Sequence, residues 1–415
     1  MSPTSTTPRL IIHGGAGHIT RENLPPDAYN KYASALKTIH RSTSELLNKG
    51  ATALDAATFA VALFEDCPLF NCGKGAVMVS RGYRKRACGV VLVKRVKNPI
   101  KLAREMLVRG ETDGSGGGNG GGGDPSGGAG GAQGHCCLGG ETVEKLAEEW
   151  GLDMVDESYF WTKKRWDEHR RGLNGNTAID EARTPVFDES KTGWDGKEYL
   201  PQGTVGCVAL DRYGTLCVAT STGGLTNKLP CRIGDTPTIG AGFWAEEWDE
   251  SFHEEEIVPS SSEALSTDLL KSLRSMVGDC LPNCSNGLEN LHSSTTAVKE
   301  RKPLRNMRSV ALSGTGNGDS FLRLAAARTA GAIVRFAPSR SLASAVSQIA
   351  GPLGELQRSA GNRWGKTGEG EGGIIGIELV NGKGKLVFDF NCGGMFRCWI
   401  DDMGRERVMV FKDEY

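Results

Sequence analysis

The chain has 415 residues, 38% of them hydrophobic, enough for a substantial core in one large domain or two or three ordinary ones. Its 49 Lys and Arg offset 50 Asp and Glu, so no overall field favours nucleic acid or an anionic membrane surface, and a small neutral or zwitterionic ligand fits better. The polar start lacks the apolar run of a signal peptide and no later run is long enough to span a bilayer, which predicts a cytoplasmic protein whose 12 cysteines are mostly thiols.

Leu10 to His13 reads as a short buried strand running into Gly14-Gly15-Ala16-Gly17, where missing side chains permit a sharp turn or a close backbone approach. Apolar residues recur at helical spacing from Ala28 to Lys49, and Gly50 is a stop signal. Thr52 can cap an alanine-rich helix through Phe64. Cys67 to Lys74 (CPLFNCGK) reads as an ordered loop, Gly89 to Val93 as a strand, and Pro99 opens a helix through Arg109. The glycine-rich insertion 111–135 cannot bury enough apolar surface to offset its ordering entropy and is expected to be disordered. Helical patterns resume at Glu141 to Trp150 and Tyr159 to Arg171, and the polar stretch Arg183 to Gln202 reads as a mobile loop.

Val205 to Leu210 and Thr215 to Thr220 are short β-type runs joined by Asp211-Arg212-Tyr213-Gly214, a hairpin that brings Thr204 and Thr222 to the same end. Residues 249–306 form a second insertion, acidic and then Ser-rich. Ser309 to Ser313 reads as a strand, Gly314 to Gly318 as a loop and Ser320 to Thr329 as a helix. The chain ends with a hairpin of Ile374 to Val380 and Lys385 to Phe390, turned by Asn381-Gly382.

Three clusters carry chemistry. Gly203-Thr204 opens a strand; if that bond is cut, Thr204 carries a hydroxyl nucleophile and a free α-amine, whose ordinary pKa of about 7.7–8.0 suits it to act as the base. Left intact, Thr204 is a hydroxyl on a sheet. Arg232 and Asp235 match the two poles of an α-amino acid, or form a surface ion pair. Gly314-Thr315-Gly316-Asn317-Gly318-Asp319 hints at a dinucleotide loop, but Asp319 stands where glycine is needed and would repel pyrophosphate, which leaves a glycine-lined pocket with Thr315 as donor. The histidines form no obvious triad with Ser or Cys, and Cys280 and Cys284 lack the His neighbours of a zinc site.

HGGAG (His13 to Gly17), CPLFNCGKGAV (Cys67 to Val77), NPIKLAREM, GTVGCVALD, STGGLTNKLPCRIGDTP (Ser221 to Pro237), SGTGNGD (Ser313 to Asp319) and NCGGMFR occur in an order that resembles the plant-type, or type III, L-asparaginase and isoaspartyl peptidase family of N-terminal nucleophile hydrolases. The resemblance implies an α+β fold, a four-layer αββα sandwich made as one precursor that cuts itself between Gly203 and Thr204 into segments 1–203 and 204–415. It implies Thr204 as nucleophile and base, Thr222 as its orienting partner, and Thr315 with Asn71 as the oxyanion hole. Arg232 and Asp235, helped by the carbonyls of Gly316 and Gly318, would grip the substrate. Backbone carbonyls of Phe64, Glu65, Cys67, Phe70, Cys72 and Lys74 would wrap a structural sodium or potassium ion. It further implies asparagine and β-aspartyl dipeptides as substrates, no catalytic cofactor, and a homodimer of cleaved protomers.

One departure stands out. In the family a segment of strand length separates the counterparts of Val77 and Met78, and here it is absent, which predicts unpaired ladder groups or a gap in the sheet. A protease like threonine aspartase and an inactive member of the same fold are the alternatives.

Overall fold

The computed structural model describes residues 6–73, 76–81, 87–112, 135–174, 203–250 and 307–414. Apart from its short ends next to 251–306, this described chain falls in one compact unit, Met1–Trp248 with Arg308–Tyr415. The fold is mixed α+β. Most of the two insertions and the whole stretch 183–202 lie outside the described residues; within the insertions, α3 (Pro99–Thr112) runs two residues into the first and β7 (Phe243–Asp249) reaches the second.

The helices follow from their patterns. In α1 (Pro26–Asn48) Tyr32, Leu36, Ile39, His40, Thr43 and Leu47 form one buried stripe, and Pro26 needs no donor at the first position. In α2 (Ala53–Glu65) the Thr52 hydroxyl accepts the Asp55 N–H at 3.2 Å. Its small side chains are nearly all buried and let it lie close on β5 (Val205–Leu210) and β6 (Leu216–Ser221). α4 (Glu141–Glu149) and α5 (Lys163–Asn174) follow the two later helical patterns.

An eight-stranded sheet runs β12 (Glu406–Met409), β11 (Gly394–Ile400), β1 (Arg9–Gly17), β5, β6, β2 (Ala76–Arg81), β3 (Gly89–Val91) and β4 (Cys137–Gly139). A four-stranded sheet runs β10 (Lys383–Phe390), β9 (Gly372–Val380), β8 (Met307–Gly316) and β7. β1 and β5 pack on β9. The predicted hairpin closes where Asp211 takes the Tyr213 and Thr215 N–H groups, each at 2.9 Å, while its other oxygen takes the Ala53 N–H at the start of α2. Asn381 and Gly382 both adopt positive φ, 51° and 75°, as a two-residue primed turn requires.

Several expectations are corrected. Of the two readings of Gly14 to Gly17 the close approach holds and the turn does not: they continue β1, with the register against β11 slipping at Gly14, where a Cβ would sit 2.5 Å from the Phe70 ring. Gly314 to Gly316 are likewise strand, paired with Ile374, Gly373 and Gly372. The expected helix over Ser320 to Thr329 is two, α6 (Gly318–Leu324) and α7 (Ala326–Phe336), broken by Ala325 at φ 44°. Followed by α8 (Leu342–Ala350), which packs on β9 and β10, and α9 (Glu355–Ser359), they cover a second apolar cluster of Leu312, Phe321, Val334, Val346 and Ile349. β7, β11 and β12 carry no clear alternation and were not anticipated from the sequence.

The expected gap after Val77 is not found among the described residues. β2 runs through Val77 and Met78 and joins β6 on one side to β3 on the other. The register against β6 shifts between Val77 and Ser80, so an irregular pair stands where an additional strand was missed. No described helix is long and apolar enough to cross a membrane.

Candidate active site

The site is assembled where β5 begins and β6 ends. Val205 pairs with Ser221, so Thr204 and Thr222 flank the last rung of the ladder as the hairpin predicts. Thr204 is buried, and its hydroxyl lies 2.5 Å from that of Thr236, which is also buried. The Thr236 carbonyl accepts the Thr220 hydroxyl at 3.4 Å, which anchors this segment to β6. The Thr222 hydroxyl accepts the Gly224 N–H at 3.1 Å, closing the chain after the strand.

Beneath Thr204 the two sheets are bridged by polar groups. His13 on β1 faces Gly206, and its Nε2 is 2.7 Å from the Ser313 hydroxyl on β8. Gly206 leaves room for that contact, since a Cβ there would fall 2.2 Å from Ser313 Oγ and 2.3 Å from His13 Nε2. Burial pushes the imidazole pKa down to about 3 against the pull of a Thr204 backbone group, so the ring is neutral. Thr315, also on β8, is fully buried, and its hydroxyl has no hydrogen-bond partner among the described residues. A Cβ on Gly203 would stand 2.9 Å from that hydroxyl and 2.6 Å from both Ala16 N and Gly15 Cα, so only glycine fits between β1 and Thr315.

The next wall comes from the loop after β6 and the start of α6. Asp235, adjacent to Thr236, is buried, and one of its carboxylate oxygens has no partner. Burial raises its pKa to about 6, opposed by its own and the Thr236 N–H groups and by the Arg232 charge. Arg232 Nη2 reaches Asp319 at 3.2 Å. Gly318 packs between the two, a Cβ there lying 2.5 Å from Asp235 Oδ1 and 3.1 Å from Arg232 Nη2. Gly316, at φ 145°, ends β8 where a Cβ would strike the Glu371 carbonyl at 2.3 Å. Asn71 donates to the Gly224 carbonyl at 3.0 Å, while its backbone carbonyl accepts the Gly223 N–H at 3.1 Å. A buried threonine hydroxyl, an arginine, a buried carboxyl and a second buried hydroxyl therefore converge from segments far apart in the chain.

Comparison with known proteins gives a consistent result. A family model described as asparaginase matches residues 6–113 and 131–249. The chain is 29% identical over 402 residues to the isoaspartyl peptidases of Salmonella typhimurium and Escherichia coli, covering 94% of itself and 94% and 92% of those proteins. It is 34% identical over 251 residues to the plant-type L-asparaginase of Pyrococcus furiosus, covering 57% of this chain and 70% of that one. The chain belongs to the plant-type asparaginase and isoaspartyl peptidase family.

Membership in this family raises the question of a cation in the loop after α2. The chain closes on itself there: Cys72 Sγ and the Cys67 N–H both meet the Phe64 carbonyl at 3.0 Å, and the Phe70 N–H meets the Cys67 carbonyl at 3.4 Å. Gly73 adopts φ 103°, with the Glu65 carbonyl 3.7 Å from its Cβ position. Carbonyl oxygens are the donors a sodium or potassium ion takes, but here those of Phe64 and Cys67 already accept hydrogen bonds within the loop, and Lys74 lies outside the described residues.

Two residues of this site, Thr236 and Ser313, are absent from the sequence-based set, and a third, Glu65, stands in it only for its backbone carbonyl. Thr236 stands in the RIGDT segment but reads there only as a neighbour of Asp235. Ser313 has alternating strand context as its only signal. Glu65 ends α2 with a buried side chain that accepts the Ser221 hydroxyl at 2.9 Å and the Ile100 N–H at 3.2 Å, and burial raises its pKa to about 8. A carboxylate at a helix end ordinarily signals solvent, so nothing in the sequence distinguishes it.

Proposed function

We propose that this protein is an N-terminal threonine hydrolase of L-asparagine and β-aspartyl dipeptides, matured by cleavage between Gly203 and Thr204. The observation that carries the reading is the Thr204 hydroxyl, buried and in contact with Thr236, beside the buried Asp235 and its neighbour Arg232. Relatives bearing the names isoaspartyl peptidase and L-asparaginase supply the substrate class.

In the uncut chain Thr204 N is a peptide nitrogen. In the first step Thr204 Oγ attacks the Gly203 carbonyl carbon, the acyl group passes from nitrogen to oxygen, and water hydrolyses the ester. Gly203 keeps the new carboxylate and Thr204 gains a free amine. In each later turnover that amine takes the hydroxyl proton, Oγ attacks the side-chain carbonyl of the substrate, and ammonia or an amino acid leaves. Water then resolves the acyl-enzyme. Thr315 and Asn71 donate to the developing oxyanion, Thr222 and Thr236 orient the nucleophile, and Arg232 and Asp235 hold the α-carboxylate and α-ammonium. Gly316 and Gly318 line the ammonium side.

On the same reading the layers follow the αββα order, supported by the packing of α2 on β5 and β6, of β1 on β9, and of α8 on β9 and β10. A structural sodium or potassium ion in the Phe64 to Lys74 loop and a homodimer of cleaved protomers complete it. Purified protein incubated for maturation is expected to give two fragments on a denaturing gel, the second beginning at Thr204, together with hydrolysis of β-aspartyl-leucine. Thr204→Ala is expected to stay full-length and inactive. A single band and no hydrolysis from the wild type would refute the proposal.

A further inference from the structure

On the side of the large sheet covered by α1, three side chains from separate elements meet: His40 of α1, Cys398 of β11 and Glu406 of β12. One donor atom from each lies within 4.8 Å of the other two. His40 and Cys398 are fully buried, while Glu406 is at the rim with 20% of its side chain exposed. His40 Nδ1 lies 3.7 Å from Glu406 Oε1, and the Leu10 backbone and the Glu406 carboxylate are the polar groups that act on the ring. Burial lowers its pKa, opposed by Glu406 and the Leu10 carbonyl. From the solvent side, Arg41 grips Glu406 through Nη2 at 2.7 Å and Nε at 3.0 and 3.1 Å.

We propose that His40, Cys398 and Glu406 form a zinc site that ties α1 to the edge of the large sheet. Imidazole nitrogen, thiolate sulfur and carboxylate oxygen are the donor types zinc takes, and bond lengths of about 2.0–2.3 Å in a tetrahedron separate donors by roughly 3.3–3.8 Å. The His40–Glu406 distance already matches, and the thiol closes by about an ångström at most. All three donors sit on a helix or a paired strand, so little ordering is needed. Cys398 pairs with Ile12 and Val408 across its ladders.

Loading replaces a proton with the metal: the Cys398 thiol and Zn²⁺ give the zinc-bound thiolate and H⁺. Thiolate, carboxylate and Zn²⁺ sum to zero charge around a neutral imidazole, with Arg41 left at the rim. Three protein donors leave one position of a tetrahedron for water.

The test titrates full-length protein with Co²⁺ alone, reading thiolate-to-metal charge transfer in the near ultraviolet, and with Zn²⁺ against a chromophoric chelator. One equivalent of Co²⁺ with a charge-transfer band is expected, lost in Cys398→Ala, with Zn²⁺ binding weakened at least 100-fold. Glu406→Gln, at the rim, covers the case in which the cysteine variant does not fold, and is expected to weaken Zn²⁺ at least tenfold. Arg41→Ala releases the carboxylate and should tighten binding several-fold. Absence of a band in the wild type, its persistence in Cys398→Ala, or unchanged affinity in Glu406→Gln would overturn the proposal.

Discussion

The hydroxyls of Thr204 and Thr236 meet at 2.5 Å although the two residues are 32 positions apart in the chain. A buried hydroxyl pair this short fixes the rotamer of each partner, and either oxygen can donate. The sequence points to Thr222 as the partner of Thr204, through hairpin register; in the structure the hydroxyl that meets Thr204 is that of Thr236, from the loop that carries Asp235, while the Thr222 hydroxyl takes the Gly224 N–H.

Thr236→Val keeps the volume and removes the hydroxyl. It is expected to lower kcat for β-aspartyl-leucine by about 10- to 100-fold, with a smaller change in KM, and Thr236→Ser should recover most of the rate. Steady-state kinetics on the matured protein check this, and a valine variant with wild-type kcat would remove Thr236 from the mechanism.

Asp235 sets function against stability. Its carboxyl titrates near 3.8 unfolded and near 6 folded, so between those values the unfolded chain is ionised and the folded one is not. Stability on its account is therefore greatest below about pH 4 and falls as pH rises to about 6, by about 3 kcal/mol in all. Asp235→Asn should melt higher than the wild type at pH 7.5, with the difference shrinking towards pH 4, while KM rises sharply because the ammonium partner is lost. Calorimetry at the two pH values reads the first effect and kinetics the second.

Glu65 follows the same sign in a different window. With a folded pKa near 8 against an ordinary 4.5, it weakens the fold progressively from pH 4.5 to 8, and the effect is flat beyond. Glu65→Gln mimics the neutral acid and should unfold at the same denaturant concentration as the wild type near pH 4.5, yet resist more denaturant at pH 8. Glu65→Ala deprives the Ser221 hydroxyl and the Ile100 N–H of their acceptor, at a cost of about 1–3 kcal/mol at any pH.

Gly203→Ala tests the fit at the cleavage point. Its Cβ would meet backbone atoms of Gly15 and Ala16 at 2.6 Å, and backbone yields less readily than a side-chain tip. The bond should shift away from Thr315 and maturation should slow at least tenfold on a time-course gel, even though Thr204 is untouched. Cleavage at the wild-type rate would show that this packing is not needed for the cut.

What the sequence by itself determined was local or linear. The α1 stripe, the Thr52 cap on α2, the hairpin at Asp211 and the Asn381-Gly382 turn are fixed by residues a few positions apart, and the family's ordered motifs identify the chain. The tertiary structure decided what depends on distant segments meeting: the strand character of Gly14 to Gly17 and Gly314 to Gly316, the continuity of the large sheet through Val77 and Met78, and the placing of Thr236, Ser313 and Glu65. Glycine-rich runs read as loops because glycine disfavours isolated strands, but between two packed sheets the missing Cβ is what lets His13, Thr315 and Gly203 approach. Burial and hydrogen-bond partners come from the whole chain at once, so the neutral His13, the raised Asp235 and Glu65, and the meeting of His40 with Cys398 and Glu406 exist only in the folded molecule.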